Sequence, residues 1–383
     1  MRWLCPLLSR NVSLLLGTAW PTDTDVVPAE SSFWSHEPFS ADLDSEGRIF
    51  ARGSQDMKCV GMQYLEAIRR MKASGFVPKR TIAVTFVPDE EIGGHDGMGP
   101  FVDSERFAQL NVGLELDEGW ATPGETFPVF YAERCPWWFV VRASGDPAHG
   151  SKLYDGSAME QLQGAIARIF AYRAEQFDRV KKGEAVAGAV TSVNMVYLRG
   201  GVPTTTECPF HDCAFVMNMQ PATAEAGFDM RLPPMSGAEM DKLEQVMRSE
   251  WAPAHLNLSI HYVQQAKRLA PGSRAAVTSL DEAVNPWWGV FMRSMSRQGL
   301  SVAPDIFPAA TDAAFLRVKG IPSLGFSPMR RTPKLLHEHN EFLSLSAFEE
   351  GITVYETLIA DLASQPAFGQ VSDGDSDARR DEL

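Results

Sequence analysis

Residues 81–94 read Thr-Ile-Ala-Val-Thr-Phe-Val-Pro-Asp-Glu-Glu-Ile-Gly-Gly, and this stretch decides the fold class. Its first half, residues 81–87, is a short run of β-branched and apolar residues, which predicts a strand buried on both faces of a parallel sheet. Its second half places three consecutive carboxylates, Asp89, Glu90 and Glu91, directly after that strand. The stretch therefore predicts an α/β sheet with acidic side chains at the carboxyl end of one strand.

Helical and strand patterns alternate on both sides of this stretch. Residues 56–72 carry apolar side chains at helical spacing, and residues 112–116 and 322–326 are two more short apolar runs. This alternation predicts a mainly parallel sheet flanked by helices. Residues 137–266 instead follow the order strand, helix, strand, strand, helix, strand, which predicts a ferredoxin-like layer inserted into the first domain.

The composition limits the classes of function. Lys and Arg total 35 and Asp and Glu total 49, and the net charge of −14 argues against binding to nucleic acid or to an anionic membrane. No run of 18 consecutive apolar residues occurs, so we expect no transmembrane helix. The five widely spaced cysteines favour a reducing compartment, and we expect a cytoplasmic protein. The C-terminal Arg-Asp-Glu-Leu leaves the lumen of the endoplasmic reticulum as the alternative.

Further carboxylates follow the other predicted strands. Asp23 and Asp25 come after the apolar residues 14–16, and Asp117 and Glu118 come after residues 112–116. Because the carboxyl ends of parallel strands open on one crevice, we expect these side chains to converge there. The alternative is that they cap the helices that follow.

The acidic cluster favours a metal site. Three adjacent carboxylates repel one another, and a bound cation would offset that repulsion. Asp56, at the predicted start of a helix, is as compatible with a helix cap as with a metal ligand. His337 could supply an imidazole, although a lone histidine is more often structural. Taken together, carboxylate oxygens and one imidazole nitrogen predict a site for a divalent metal.

Several long motifs carry a resemblance to a known family. The chain resembles the aminoacylase-1 family, two-zinc amidohydrolases of the M20 metallopeptidase clan, from about residue 23 to about residue 366. The resemblance implies a zinc-peptidase-like catalytic domain, residues 1–136 and 267–364, interrupted by a ferredoxin-like α+β lid and dimerisation domain, residues 137–266. Residues 365–383 are expected to form a disordered tail. The motifs are Thr24-Asp-Val-Val-Pro28, Gln55-Asp-Met-Lys-Cys-Val60, Phe86-Val-Pro-Asp-Glu-Glu-Ile-Gly-Gly-His95, Leu116-Asp-Glu-Gly119, Cys135-Pro-Trp-Trp138 and Pro308-Ala-Ala-Thr-Asp312.

The same resemblance implies roles for the acidic cluster. Two zinc ions are expected per chain, and a general base is expected to take a proton from the attacking water. Glu90 matches the family's general base, and Asp25 matches the residue that orients the first metal ligand. The implied metal ligands are Asp56, which bridges the two ions, Glu118 at the first ion, and Glu91 and His337 at the second.

Three residues of the predicted lid also match functional residues of the family. His149 corresponds to a histidine that reaches the active site of a partner subunit, which implies a homodimer. Asn218 and Arg231 correspond to residues that hold the substrate. From the residues alone, a surface turn is favoured for His149, and a salt bridge at the end of a strand is favoured for Arg231.

The chain departs from the family pattern in three places. Asp23 stands where the family has a histidine as the first metal ligand, and a carboxylate there adds negative charge beside Asp56 and Glu118. Only about 20 residues precede Thr22, where the family has an opening helix and strands. Residues 203–217 form an insertion beside Asn218 that the family lacks.

These observations lead to one expected function and two alternatives. We expect metal-dependent hydrolysis of N-acyl-L-amino acids to a carboxylate and a free L-amino acid. A peptidase of the M20 family that acts on small peptides is the alternative enzyme. The alternative from another class is a catalytically silent homologue that acts through its dimer surface, which Asp23 and the insertion favour.

Overall fold

The computed structural model of the chain describes residues 13–19, 26–204, 215–265, 269–270, 272–366 and 368. The chain divides into two compact units. The first comprises Met1–Tyr131, Thr278–Pro304 and Thr311–Leu383, and the second comprises Ala132–Val277 and Asp305–Ala310.

The described residues alternate between strands and helices, and none of these helices is both long and apolar enough to span a bilayer. The strands are β1 (Ser13–Ala19), β2 (Asp42–Leu43), β3 (Arg48–Phe50), β4 (Ile82–Val87), β5 (Val112–Asp117), β6 (Phe127–Glu133), β7 (Cys135–Ser144), β8 (Ala148–His149), β9 (Ser192–Arg199), β10 (Met219–Gln220), β11 (Thr223–Leu232), β12 (Leu258–Gln265), β13 (Val302–Phe307), β14 (Ser323–Gly325) and β15 (Phe342–Ser344). The helices are α1 (Lys58–Ala73), α2 (Met98–Val102), α3 (Glu105–Leu110), α4 (Ala158–Lys181), α5 (Gly237–Val246), α6 (Pro286–Arg297), α7 (Ala313–Val318) and α8 (Leu345–Ala363).

The first unit contains a mainly parallel sheet, as the sequence predicts. Its strands lie in the order β13-β6-β14-β5-β1-β4. Strand β1 is parallel to both β4 and β5, and β14 is parallel to β5. Only one strand, β1, therefore separates the carboxyl ends of β4 and β5.

Helices α1 and α8 bury one apolar face each against the other. On α1 the buried positions Val60, Tyr64, Ala67 and Met71 follow the helical repeat, which explains the stripe seen in the sequence. The rings of Tyr64 and Tyr355 lie 4.5 Å apart. Burying a large side chain of this kind stabilises a fold by about 1.5–3 kcal/mol, so the packing of α1 against α8 contributes to the stability of the first unit.

The start of α1 differs from the prediction by two residues. The helix was expected from residue 56, but it begins at Lys58 and its N-cap is Met57, which makes no side-chain capping hydrogen bond. Asp56 therefore lies before the helix and does not cap it.

The second unit has the ferredoxin-like order that the sequence predicts. An antiparallel sheet with the order β12-β7-β11-β9 is accompanied by α4 and α5. Its core includes Trp137, Phe139 and Phe228, and the rings of Phe139 and Phe228 stack 5.1 Å apart. The helix predicted over residues 236–251 is α5 only to Val246, because Met247–Trp251 continue as a π-helical turn.

The second unit is larger than the insert that the sequence predicts. It begins at Ala132 rather than at residue 137, ends at Val277 rather than at residue 266, and includes Asp305–Ala310. Arg134 connects Asp305–Ala310 to this unit. Its backbone N–H donates to the carbonyl of Phe307 and its Nε donates to the carbonyl of Pro308, both at 2.9 Å.

The insertion between β9 and β10 is closed at its base. Pro203 and Phe215 form an isolated antiparallel bridge, and the N–H of Val216 donates to the carbonyl of Val202 at 2.9 Å. Residues 205–214 lie outside the described residues. The two ends of the insertion are thus held next to each other before the chain reaches Asn218.

Candidate metal centre

The candidate site lies in the first unit, at the carboxyl ends of β4 and β5. A 3-10 turn, Glu90–Ile92, follows β4, and Glu118 directly follows β5. Because β1 lies between these parallel strands, both ends open on one edge of the sheet. A third segment, the turn before α1, carries Asp56.

Asp56, Glu91 and His337 meet in one cluster. One ligand atom of each residue lies within 4.8 Å of the corresponding atoms of the other two. His337 Nε2 is 3.1 Å from Asp56 Oδ2 and 3.2 Å from Glu91 Oε2. The two carboxylates are largely buried, whereas half of the imidazole is exposed. The structure thus brings together three of the residues to which the sequence resemblance gives a metal.

The imidazole of His337 is the counter-ion of the Asp56 and Glu91 carboxylates. Its hydrogen bonds to Asp56 and Glu91 raise the pKa of His337 from 6.5 to about 10. The ring therefore carries a proton at neutral pH, because each carboxylate stabilises the charged form.

Two more carboxylates lie beside the cluster, Glu118, which is buried, and Glu90, which is partly buried. Burial, reinforced by the charges of Glu90 and Asp56, raises the pKa of Glu118 well above its usual range. The charge of Asp117 and a hydrogen bond to Asp56 contribute to the same rise in the pKa of Glu118. Burial also raises the pKa of Glu90, with contributions from the charges of Asp312, Asp56 and Glu91. Both shifts have the same causes, which are desolvation of the carboxyl groups and the like charges around them.

Asp89 and Asp117 have backbone partners instead. Asp89 Oδ2 accepts a hydrogen bond from the N–H of Asp96 at 2.6 Å. Asp117 Oδ2 accepts one from the N–H of Ala313, at the start of α7, at 2.8 Å. Asp89 therefore stabilises the turn after β4, and Glu90 and Glu91 are the members of that acidic run that belong to the cluster.

The donor set fits a divalent cation. Carboxylate oxygens and an imidazole nitrogen are ligands that zinc and similar ions accept. The raised pKa values of Glu90 and Glu118 reflect burial and like-charge repulsion, and a bound cation would relieve that repulsion. Asp56, Glu91 and His337 would hold one ion, and Glu118 lies beside the Asp56 carboxyl that a second ion would share.

The remaining predicted residues lie elsewhere. Asp23 and Asp25 lie outside the described residues. In the second unit, β8 and β10 pair His149 with Met219, and the N–H of Gly150 donates to the carbonyl of Asn218 at 2.8 Å. His149 and Asn218 are therefore close neighbours, and the Nδ1 of His149 contacts Ser151 Oγ at 2.8 Å.

Arg231 forms an ion pair near the end of a strand, which is the alternative to substrate binding that the sequence allows. It lies in β11 and donates to both carboxylate oxygens of Asp229, at 2.8 and 3.0 Å. Its guanidinium also lies 5.9 Å from the ring centroid of Trp138. The side chain is about one quarter exposed, so it remains accessible while it is paired.

Three buried polar residues near Asp56 have no role in the sequence prediction. They are Arg52, Gln55 and Glu341, and each is at most 4% exposed. Their spacing in the sequence could have pointed to them: Glu341 follows His337 by four residues, and Arg52 precedes Asp56 by four residues. That spacing alone does not reveal that the two segments meet.

Comparison with known proteins places this geometry in a family. The sequence profile of peptidase family M20/M25/M40 matches residues 19–361. Aminoacylase-1 of Homo sapiens is 44% identical over 345 residues, which cover 90% of this chain and 79% of that protein.

Two solved structures have a similar fold. An M20 family metallo-carboxypeptidase from Sulfolobus solfataricus has a TM-score of 0.64 and 16% identity, with 94% of this chain and 86% of that chain covered. A dinuclear metal-binding M20 peptidase of Bacillus subtilis has a TM-score of 0.58 and 13% identity, with 92% and 81% covered. At these identities the two structures support the fold alone.

Binding of Zn²⁺ should release protons at pH 7. His337, with its pKa raised to about 10, must lose a proton before its nitrogen can bind a cation. We expect release of about one proton or more per ion, with affinity that rises as the pH approaches the His337 pKa. Calorimetry in two buffers of different ionisation enthalpy measures this number. His337→Ala should lose both the ion and the proton release, and an unchanged metal content in that variant would contradict the assignment.

Proposed function

The chain belongs to peptidase family M20/M25/M40, and on that premise we propose that it hydrolyses N-acyl-L-amino acids to a carboxylate and a free L-amino acid. The cluster of Asp56, Glu91 and His337, with the buried Glu90 next to it, is the observation that carries the proposal. The 44% identity to a protein named aminoacylase-1 supports this substrate class over small peptides.

We propose zinc as the metal, with two ions per chain. Asp56, Glu91 and His337 would hold one ion, and Glu118, Asp56 and Asp23 would hold the other. A bound zinc ion supplies Lewis acidity, which polarises the amide carbonyl and makes the attacking water more acidic. Asp25, in the same proposal, orients the first ligand.

Glu90 is the proposed general base. In the hydrolysis, the water oxygen bonds to the acyl carbon, Glu90 accepts the proton of that water, and the same proton passes to the amine nitrogen as the C–N bond breaks. A carboxyl group can both accept and return a proton efficiently when its pKa lies closer to neutrality than usual. The burial and like charges that raise the pKa of Glu90 supply this property.

The second unit supplies the proposed substrate contacts. Asn218 and Arg231 would bind the polar groups of the substrate, and His149 would donate to the oxygen that becomes negative in the transition state. Because Ser151 occupies Nδ1 of His149, Nε2 is the atom assigned to that contact.

Replacement of Glu90 by Gln should separate proton transfer from metal binding. The amide keeps the size of the side chain but cannot accept the proton, so kcat should fall by about 10² or more. The zinc content should stay at the wild-type value, measured by elemental analysis of the dialysed protein. Glu105→Gln on exposed α3 makes the same chemical change away from the site and should keep wild-type kcat. A wild-type rate for Glu90→Gln would leave Glu90 without a catalytic role.

We also propose a homodimer formed through the second unit. Strand β9 is an edge strand of the four-stranded sheet, and its residues Val196 and Leu198 are 63% and 54% exposed. An exposed apolar edge strand is a surface that pairs readily with another strand. A second copy of this chain is the proposed partner.

Mixed dimers test whether His149 serves the neighbouring subunit. His149→Ala chains and Glu90→Ala chains should each be nearly inactive alone. When the two are mixed and allowed to exchange, activity should return in part, because one site of a mixed dimer would have both groups intact. Sedimentation of the wild-type chain as a monomer, or no activity in the mixture, would contradict the arrangement.

Asp23 is the residue that favours the silent homologue. A carboxylate in place of a neutral histidine leaves more negative charge at the first ion and makes the attacking water less acidic. We therefore expect low activity with a pH profile shifted to the alkaline side. Asp23→His should tighten binding of one of the two ions and raise kcat, both measurable in one preparation. If affinity and rate are unchanged in a folded Asp23→His protein, Asp23 does not lie at the metal.

A further inference from the structure

A fully buried acid, Glu341, binds the turn that carries Asp56. One oxygen, Oε1, accepts the backbone N–H groups of Gln55 at 2.6 Å and Asp56 at 3.3 Å. The other, Oε2, accepts the N–H of Gly53 at 3.3 Å and Nη1 of Arg52 at 2.6 Å. Three backbone N–H groups of one turn thus donate to a single carboxylate and fix the backbone from which the Asp56 side chain projects.

Arg52 links the same carboxylate to the segment that carries His337. Its Nη2 donates to the carbonyl of His337 and its Nη1 to the carbonyl of Glu338, both at 3.3 Å. The guanidinium is 2% exposed and lies 5.3 Å from the ring centroid of Trp34. His337 has a φ of 63°, a backbone conformation that costs free energy for any residue other than glycine. The hydrogen bond to its carbonyl helps to hold that conformation.

Gln55 makes a second link between the two segments. Its Nε2 donates to the carbonyls of Pro333 and Phe342, at 3.0 and 2.7 Å, and its Oε1 accepts the N–H of Leu335 at 3.0 Å. Residues 333–342 are therefore tied at both ends to the residue that immediately precedes Asp56.

A buried ion pair is a poor way to gain stability. The cost of removing two charges from water often exceeds their attraction, and apolar residues of the same volume serve as well or better. The Arg52–Glu341 pair instead connects the backbones of Asp56 and His337, whose side chains must keep a fixed separation to hold an ion. Partners of metal ligands orient those ligands and tune the affinity for the ion.

We infer that Arg52 and Glu341 are positioning residues that set the separation of Asp56 and His337 through their backbones. The inference rests on the proposed metal site, since the distance matters only if an ion is held there. It adds to that proposal two residues, 289 positions apart in sequence, that touch neither the ion nor the substrate.

Arg52→Lys is the direct test. Lysine keeps the positive charge beside Glu341, but a single ammonium cannot reproduce the planar fork that reaches Glu341 and both carbonyls together. Zinc affinity, measured by competition with a chromophoric chelator, should fall by about 10- to 100-fold. Amide exchange of residues 333–342 in the metal-free protein should become faster, with α4 of the second unit as the internal reference.

Two more variants isolate the cause. Glu341→Gln should show the same losses, because its amide nitrogen would face the Arg52 donor. Leu358→Ala removes a fully buried side chain of α8, a helix that includes neither of the two segments, and lowers stability, so its zinc affinity should stay within about threefold of wild type. If Glu341→Gln does not fold, Arg52→Lys carries the test alone, because it keeps both charges.

The two proposals fail in different ways. If the wild-type chain binds no zinc, the metal site is wrong, and the exchange measurement still decides whether Arg52 holds residues 333–342. If the wild-type chain binds zinc, and folded Arg52→Lys keeps its affinity and its exchange rates, the positioning role is wrong.

Discussion

Mutual repulsion of buried carboxylates is the constraint on which the site depends. Asp56, Glu90, Glu91 and Glu118 lie at one edge of the sheet, and burial removes the water that would screen their charges. His337 meets part of this constraint, because its hydrogen bonds to Asp56 and Glu91 raise its pKa to about 10 and favour its charged form. A divalent cation would take over the same neutralising role, so proton loss and metal binding are two sides of one equilibrium.

The sheet explains why so many charges gather there. Parallel strands present their carboxyl ends on one edge, and β4 and β5 are separated only by β1. The apolar faces of α1 and α8 belong to the same hydrophobic core as residues of β1 and β5. The electrostatic cost of the site is therefore offset by packing elsewhere in the unit, which is how folded proteins retain unfavourable charge clusters.

The strands and the acidic residues that follow them could be predicted, because they depend on residues close together in the sequence. Residues 81–87 predict a strand because their side chains have no polar face, and β4 covers Ile82–Val87. The expected burial on both faces is wrong, because β4 is the last strand in the sheet order and only Val87 of its residues is buried. The acids after that strand could be predicted to converge, because strand direction sets where their side chains emerge. The Arg52–Glu341 pair could not be predicted, because it joins residues 289 apart and neither lies in a periodic pattern. For the same reason the sequence does not predict that Asp305–Ala310 belong to the second unit, since hydrogen bonds from the backbone and the side chain of Arg134 connect this segment to it.

The insertion before Asn218 shows how a departure from a family pattern can be harmless to the fold. The Pro203–Phe215 bridge and the Val216–Val202 hydrogen bond return the chain to register before β10 begins. Closing a loop costs free energy that grows only slowly with its length, so a base pinned in this way tolerates added residues. Asp23 is a different kind of departure from the insertion, because its carboxylate would bring a negative charge to the cluster whatever the backbone geometry.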